Sequence, residues 1–152
     1  MAKAALAETN RDTESARQNY EKALVRFPDF APARRGLAII HGEKPIDDKK
    51  GLELATKARE EFPSDVDVAR ALGLLSYRTG NFSRAANLLQ ECTRTQANDA
   101  ELWYYLGMAQ HQLKNQPAAA QSLRRALELN LKTDLAKEAR TILEPEKAAK
   151  KG

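Results

Sequence analysis

The side chains that most often carry out chemistry are few in this sequence and do not converge. His41 and His111 lie far apart along the chain, and neither has a cysteine nearby. A transition-metal site needs several nitrogen or sulfur ligands at short spacings, which this sequence does not offer. Cys92 stands alone, and glycine-rich phosphate loops and the context of a nucleophilic serine are absent. We therefore predict no catalytic residue, no metal, no cofactor and no enzymatic activity.

Charge is spread evenly along the chain. The net charge is +4 and the pI about 9.2, but basic and acidic residues alternate, as on solvated helix surfaces. Without a continuous basic stripe we do not predict nucleic-acid binding. No apolar run approaches the roughly 20 residues that span a bilayer, and the apolar N-terminus is too short for a secretory signal. We predict a cytoplasmic protein without membrane insertion, and a periplasmic location after removal of a leader is the alternative.

The sequence repeats itself at an interval of 34 residues. Leu72-Gly73 recurs as Leu106-Gly107 (106 − 72 = 34). The other pairs at this interval are Ala85 and Ala119, Leu89 and Leu123, and Cys92 and Ala126. A period of this length predicts a stacked array of helical units, whose function is binding along a surface and not catalysis in a pocket.

The apolar spacing predicts helices throughout and no strands. Asp12 or Thr13, Asn81 and Asn115 are predicted N-caps, and Gly80 is predicted to end a helix in a left-handed conformation. Pro145 is predicted to end the last helix, which leaves a disordered tail over 144–152. The predicted helices are 13–27, 33–41, 48–62, 65–79, 82–96, 99–114, 116–130 and 133–143, with a loop over 42–47.

These motifs resemble the tetratricopeptide repeat. The fourth repeat matches most fully, with Trp103, Leu106-Gly107, Ala119 and Ala126 at signature positions. The resemblance implies an all-α fold, a right-handed superhelical solenoid of helix-turn-helix repeats with a C-terminal capping helix. It also implies that Trp103 and Cys92 are packing residues. The implied single domain covers 1–143, as a partial repeat over 1–30, repeats over 31–65, 66–99 and 100–133, and a capping helix over 133–143.

The resemblance is incomplete at the N-terminus. If Pro28 closes a full repeat, that repeat should begin before Met1, and only the second half of its first helix, 3–9, is present. We therefore expect a segment of a longer protein, or a chain whose first helix is short. The unfinished repeat offers Leu6 and nearby alanines to a neighbour. This is the basis of an alternative function, a self-assembly (oligomerisation) module that stacks through its incomplete N-terminal repeat.

In tetratricopeptide arrays the first helix of each pair lines a concave surface. Carried onto this sequence, the resemblance places arginines, tyrosines and apolar residues on that surface, three or four positions apart on each helix. The candidate groove residues are Arg35, Ile39, Arg70, Leu74, Tyr77, Arg78, Tyr104, Met108 and His111. This mixture suits a protein or peptide segment with hydrophobic anchors and acidic groups, because arginine can bind a carboxylate with two parallel hydrogen bonds. We predict a scaffold or adaptor module that recognises a partner through this groove within a larger protein or complex.

One specific partner is not predicted. Family members that bind chaperone C-termini use lysines and asparagines at set groove positions. Those positions hold Arg35, Gly36, Ile39, Asp67 and Ala71 in this sequence. The clamp is not preserved, so we do not predict binding of chaperone tails.

Overall fold

The computed structural model describes the backbone of residues 2–150 and the side chains of residues 11–145. Within those residues it contains helices and no strands, which confirms the predicted all-α class. The helices are α1 (Ala2–Arg26), α2 (Ala31–Glu43), α3 (Asp48–Glu61), α4 (Val66–Arg78), α5 (Phe82–Thr93), α6 (Ala100–Gln112), α7 (Gln116–Glu128) and α8 (Thr133–Lys150). Leu6, on which the self-assembly alternative relied, lies outside the described side chains.

The helices form two compact units, Met1–Leu75 and Ser76–Gly152, and the boundary falls inside α4. In the first unit α2 packs against both α1 and α3. In the second unit α6 packs against α5 and α7, and α8 packs against α7. Each unit therefore buries the apolar faces of its helices against their chain neighbours, as expected for helical repeats.

Short polar side chains begin five of the described helices. The side chains that accept a hydrogen bond from the backbone N–H three residues on are Asp47, Asp65, Asn81, Asp99 and Asn115. The predicted caps Asn81 and Asn115 are thus confirmed, because each satisfies a backbone donor that has no partner within its helix. Gly80 has a φ of +84°, which confirms the predicted left-handed helix end.

Three predicted helix boundaries are wrong. Neither Asp12 nor Thr13 begins a helix, because α1 runs without interruption from Ala2 and no proline or glycine interrupts it. Gly42 does not open a loop but lies buried within α2. The last helix passes through Pro145 to Lys150, although the proline has no N–H to donate within the helix.

Small residues set the distance between packed helices in the second unit. A Cβ on Gly107 of α6 would lie 2.8 Å from Cγ of Leu123 on α7, so glycine lets the two helices approach without displacing this side chain. Cys92 is completely buried, as predicted for a small packing residue. Trp103 packs against the core of this unit, and its indole Nε1–H donates to the carbonyl oxygen of Ala97 at 2.8 Å. These contacts agree with the packing roles that the repeat pattern predicted.

Candidate functional site

Two adjoining cavities lie along α2 in the first unit, and together we call them the α2 groove. The larger, about 390 Å³, lies between α1 and α2 and includes Tyr20 and Arg35 in its lining. The smaller, about 150 Å³, lies between α2 and α4 and includes Arg70 and Leu74. Ile39 and Glu43 line both cavities. The groove thus brings together four predicted site residues, Arg35, Ile39, Arg70 and Leu74.

The geometry of the groove depends on glycines of α2. A Cβ on Gly42 would lie 2.6 Å from the Cα of Ala71, so this glycine lets α2 approach the backbone of α4. One and a half turns earlier, a Cβ on Gly36 would overlap the ring of Tyr20 on α1. The two glycines therefore let α4 and α1 approach α2 closely. Ile39 lies between these two contacts and remains partly exposed, whereas the adjacent Ile40 is 8% exposed.

Arg35 is already paired within the chain. Its Nε donates to Oδ2 of Asp65 at 2.6 Å, and its Nη2 lies 3.6 Å from Oδ2 of Asp67. The hydrogen bond to Asp65 raises the pKa of Arg35. Burial alone would raise the pKa of Asp65, but hydrogen bonds from Arg35 and the Val68 backbone outweigh it and the pKa is lowered. Arg35 is therefore a fixed charge with its own counterions, and it does not project as a ready clamp for a partner carboxylate.

The corresponding positions of the second unit are closed. Tyr104 is 3% exposed and Met108 is 4% exposed, so the prediction that they lie on an open groove surface is wrong. Both belong to the core that includes Ala136, Ala139 and Leu143 of α8. The Tyr104 hydroxyl donates to Oε2 of Glu138, also on α8, at 2.7 Å. Burial, reinforced by this carboxylate, raises the pKa of Tyr104.

The other predicted site residues of the second unit are half-buried at its surface. The Tyr77 ring makes edge-to-face contacts with Phe82 and Tyr105, with centroids 5.7 and 5.5 Å apart. Burial raises the pKa of Tyr77. His111 Nδ1 lies 3.1 Å from Oε1 of Gln116, and Arg78 is partly exposed. Of these residues, Tyr77 belongs to an aromatic cluster.

Sequence reasoning missed the acidic residues that control the candidate site. Asp65 was recognised only as the start of a helix, yet it also binds Arg35. Glu43 lines both cavities of the α2 groove but follows the positions that the repeat pattern singled out. Glu138 could have been found, because it stands 34 residues after Tyr104 (138 − 104 = 34) and so continues the repeat register into α8.

Comparison with known proteins agrees with this helical architecture. The family model described as the tetratricopeptide repeat matches residues 1–48 and 70–130. These segments make up well over half of the chain. The chain belongs to the tetratricopeptide repeat family.

A curated relative and several solved structures are similar to parts or most of this chain. "Interferon-induced protein with tetratricopeptide repeats 2" of Cricetulus griseus is 33% identical over 86 residues, which are 57% of this chain and 18% of that protein. The chain thus spans about a fifth of that relative's length. MamA MSR-1 aligns with 94% of the chain and 87% of its own length at a TM-score of 0.71 and 19% identity. MamA RS-1, as a double mutant, gives a TM-score of 0.74 at 12% identity over 93% of the chain and 80% of its own length. These structures share the fold.

The family assignment supports a protein-interaction scaffold. Within the part of the chain that the structure describes, no helix combines the length and the apolar character needed to cross a bilayer.

Proposed function

We propose that the α2 groove binds a segment of a partner protein, with an aliphatic side chain of the partner seated on Ile39. The observation that carries this proposal is that Ile39 lines both cavities and remains partly exposed on an otherwise well-packed helix. Apolar pockets with a few fixed polar groups at the rim are the usual form of a binding site. Leu74, which is 6% exposed, adds an apolar wall to the smaller cavity.

The charges around the groove refine the expected partner. Asp67 and Glu43 line the smaller cavity together with Arg70. An acidic side chain of the partner near this cavity would meet two exposed carboxylates, and like charges at short range are unfavourable. We therefore propose that the hydrophobic anchor of the partner is flanked by a basic residue facing Glu43 and Asp67.

Arg35 has a structural role in this proposal. Because its guanidinium is held by Asp65, it joins α2 to the first turn of α4, and Asp65 caps that turn through the Val68 N–H at 3.1 Å. The interaction orders the rim before the partner arrives, which lowers the entropy cost of binding. Arg35 therefore contributes to preorganisation of the groove.

The experiment is a substitution that changes the groove without changing the core. A partner is captured from a lysate of the source cells with the wild-type protein, and its affinity is measured by calorimetry. Ile39→Glu should weaken binding at least 30-fold, on the order of the 2 kcal/mol that a central apolar anchor contributes. Leu113→Glu is the matched control, because Leu113 is an exposed leucine (43%) outside the groove. Unchanged affinity for Ile39→Glu would rule out the α2 groove as the binding site.

The alternative of stacking through the side of α1 has one supporting observation. Ala16, Tyr20 and Ala23 are only half-buried, whereas the residues at the corresponding positions of α7 are fully buried. However, the Tyr20 ring already fills the notch at Gly36, so α1 closes much of its own open side. This packing favours partner binding in the α2 groove over stacking of another chain on α1.

A further inference from the structure

The end of α1 and the turn that leads to α2 expose three large apolar side chains. Val25 is 86% exposed, Phe27 58% and Phe30 46%, and we call them the turn patch. The turn is held in place by its own hydrogen bonds: Phe27 N–H donates to the Ala23 carbonyl at 2.7 Å, and Phe30 N–H donates to the Phe27 carbonyl at 3.1 Å. Arg34, itself bound to Glu61, donates to the Pro28 carbonyl at 2.8 Å. The apolar side chains are therefore displayed on a fixed backbone.

The internal repeats show that this exposure is peculiar to the first turn. The residues at the position of Val25 in the later repeats are all charged: Glu60, Arg94 and Glu128. Phe30 occupies an N-cap position but makes no side-chain capping bond. Asp65 and Asp99, at the corresponding positions, cap α4 and α6 through the N–H groups of Val68 and Leu102. The first turn thus lacks a stabilising cap and a charged surface residue, and it exposes apolar area in their place.

One cation and one anion are interleaved with the residues of the turn patch: Arg26 precedes Phe27, and Asp29 precedes Phe30. The Arg26 guanidinium lies 5.6 Å from the centroid of the Phe27 ring. The Asp29 side chain is fully exposed, and its contact with Nη2 of Arg34 is long, 3.9 Å. A two-fold axis through this segment can pair each Arg26 with the Asp29 of the second copy.

We propose that the turn patch is a self-association surface, on which a second copy of this chain docks with two-fold symmetry. Val25, Phe27 and Phe30 of the two copies pack together, and the reciprocal Arg26–Asp29 pairs set the orientation. Self-complementary charges favour a second copy, because a different partner would need the inverted charge pattern by coincidence. Three exposed side chains form a small interface, so the dimer should be weak, with a dissociation constant on the order of 10⁻⁴ M. This proposal goes beyond the groove function and uses a different surface.

Sedimentation equilibrium of the full chain between about 10 μM and 1 mM tests the proposal. The mean mass should rise with concentration toward that of a dimer. Phe30→Asp should abolish this rise and, because it installs the missing N-cap, should raise the melting temperature by about 3 °C. A higher melting temperature together with loss of dimer excludes misfolding as the cause. A wild-type chain that stays monomeric at 1 mM overturns the proposal, including the case in which it instead binds vesicles of anionic phospholipid.

Charge reversal tests the two-fold geometry. Arg26→Asp and Asp29→Arg should each reduce association at least 10-fold, whereas the double variant and an equimolar mixture of the two single variants should restore it. Leu113→Asp, in an exposed turn of the other unit, is the control and should dimerise like the wild type. Ile39→Glu should also dimerise normally, which separates this surface from the α2 groove. A dimer that is insensitive to both charge reversals contradicts the proposed interface.

Discussion

One repeat position is open on α2 of the first unit and closed on α6 of the second. Ile39 of α2 and Met108 of α6 correspond in the repeat, yet Ile39 lines two cavities and Met108 is 4% exposed within a core. The difference comes from α8, whose apolar residues pack into the core that contains Met108. On the corresponding side of α2, which faces α4, a cavity of about 150 Å³ leaves Ile39 partly exposed. A position in the repeat signature therefore does not by itself identify a binding residue, because neighbouring helices decide its exposure.

The capping helix α8 explains how a predicted groove position becomes a core position. Counted in the 34-residue register, the residues of α8 that follow Trp103, Leu106 and Gly107 are Lys137, Arg140 and Thr141. In a complete helix pair, the residues at these three positions pack against the second helix. In α8 the same positions are polar. The other side of α8 carries Ala136 and Ala139, which are buried in the core of the second unit. One face thus covers Tyr104 and Met108 while the other faces water, as a terminal helix of a repeat array requires.

The largest loss of stability is expected at Met108, and comparing it with the loss at Ile39 tests the contrast between the two units. Met108→Ala removes a buried side chain and should lower the free energy of unfolding by about 2 to 4 kcal/mol. Ile39→Ala, at the corresponding but partly exposed position, should lower it by no more than about 1 kcal/mol. Urea unfolding followed by circular dichroism measures both. Equal losses would show that the two positions are equally buried in solution.

A second difference between the units concerns the glycines at their helix contacts. Gly42→Ala in the first unit should destabilise by about 2 to 3 kcal/mol, because the new Cβ would lie 2.6 Å from the Ala71 Cα and a backbone must move. Gly107→Ala in the second unit should cost about 1 to 2 kcal/mol, because the new Cβ mainly meets the Leu123 side chain, which can adjust. Thermal unfolding of both variants checks the order. The reverse order would mean that α2 and α4 adjust more easily than α6 and α7.

The first unit also contains a buried histidine, and its stability should depend on pH. His41 is 1% exposed, and burial lowers its pKa below 6.5, with a further decrease from Lys50 and opposing contributions from Asp47 and Glu21. The unfolded chain then binds a proton that the folded chain does not. This contribution to stability is present above pH 6.5 and is lost as the pH falls from 6.5 through the lowered pKa, by at most about 1.4 kcal/mol per pH unit.

Urea unfolding at several pH values between 5 and 8 measures this dependence. In His41→Gln the additional loss of stability below pH 6.5 should disappear, whatever the variant costs at pH 8. An identical pH profile for wild type and variant would exclude His41 as the source.

The smallest effect concerns the turns within the helix pairs. Lys114 has a φ of 62° at the position where Gly80 has +84°, and the left-handed conformation is unfavourable for a residue with a side chain. Lys114→Gly should therefore stabilise the second unit by about 0.5 to 1 kcal/mol, and Gly80→Lys should destabilise it by a similar amount. The described α2–α3 turn of the first unit has no left-handed residue and is one residue longer than the repeat allows. Differential scanning calorimetry of the two single variants measures both changes in stability. A fall in melting temperature for Lys114→Gly would contradict the predicted stabilisation.

The sequence by itself determined the helices, their order and the family. Leu72-Gly73 recurs 34 residues later as Leu106-Gly107, and the recurring glycine predicts close helix packing at each repeat. The close approach of Gly107 to Leu123 agrees with this prediction. Caps such as Asn81 and Asn115 were also predictable, because capping involves residues three apart in the chain. The failures were at Asp12, Gly42 and Pro145, where the chain continues as helix through residues that often mark helix ends.

The tertiary structure alone decided which repeat positions remain open to a partner. Arg35 and Asp65 bind each other across two helices, and Met108 becomes a core residue because α8 packs over it. Periodicity places a side chain on a face of its own helix, which is a local property. Whether that face meets water, a counterion or another helix depends on elements that come later in the chain, so it could not be predicted from the position in the repeat. Fewer of the predicted groove positions are therefore exposed than the repeat pattern indicated, and Ile39, which lines the α2 groove, is one that remains partly exposed.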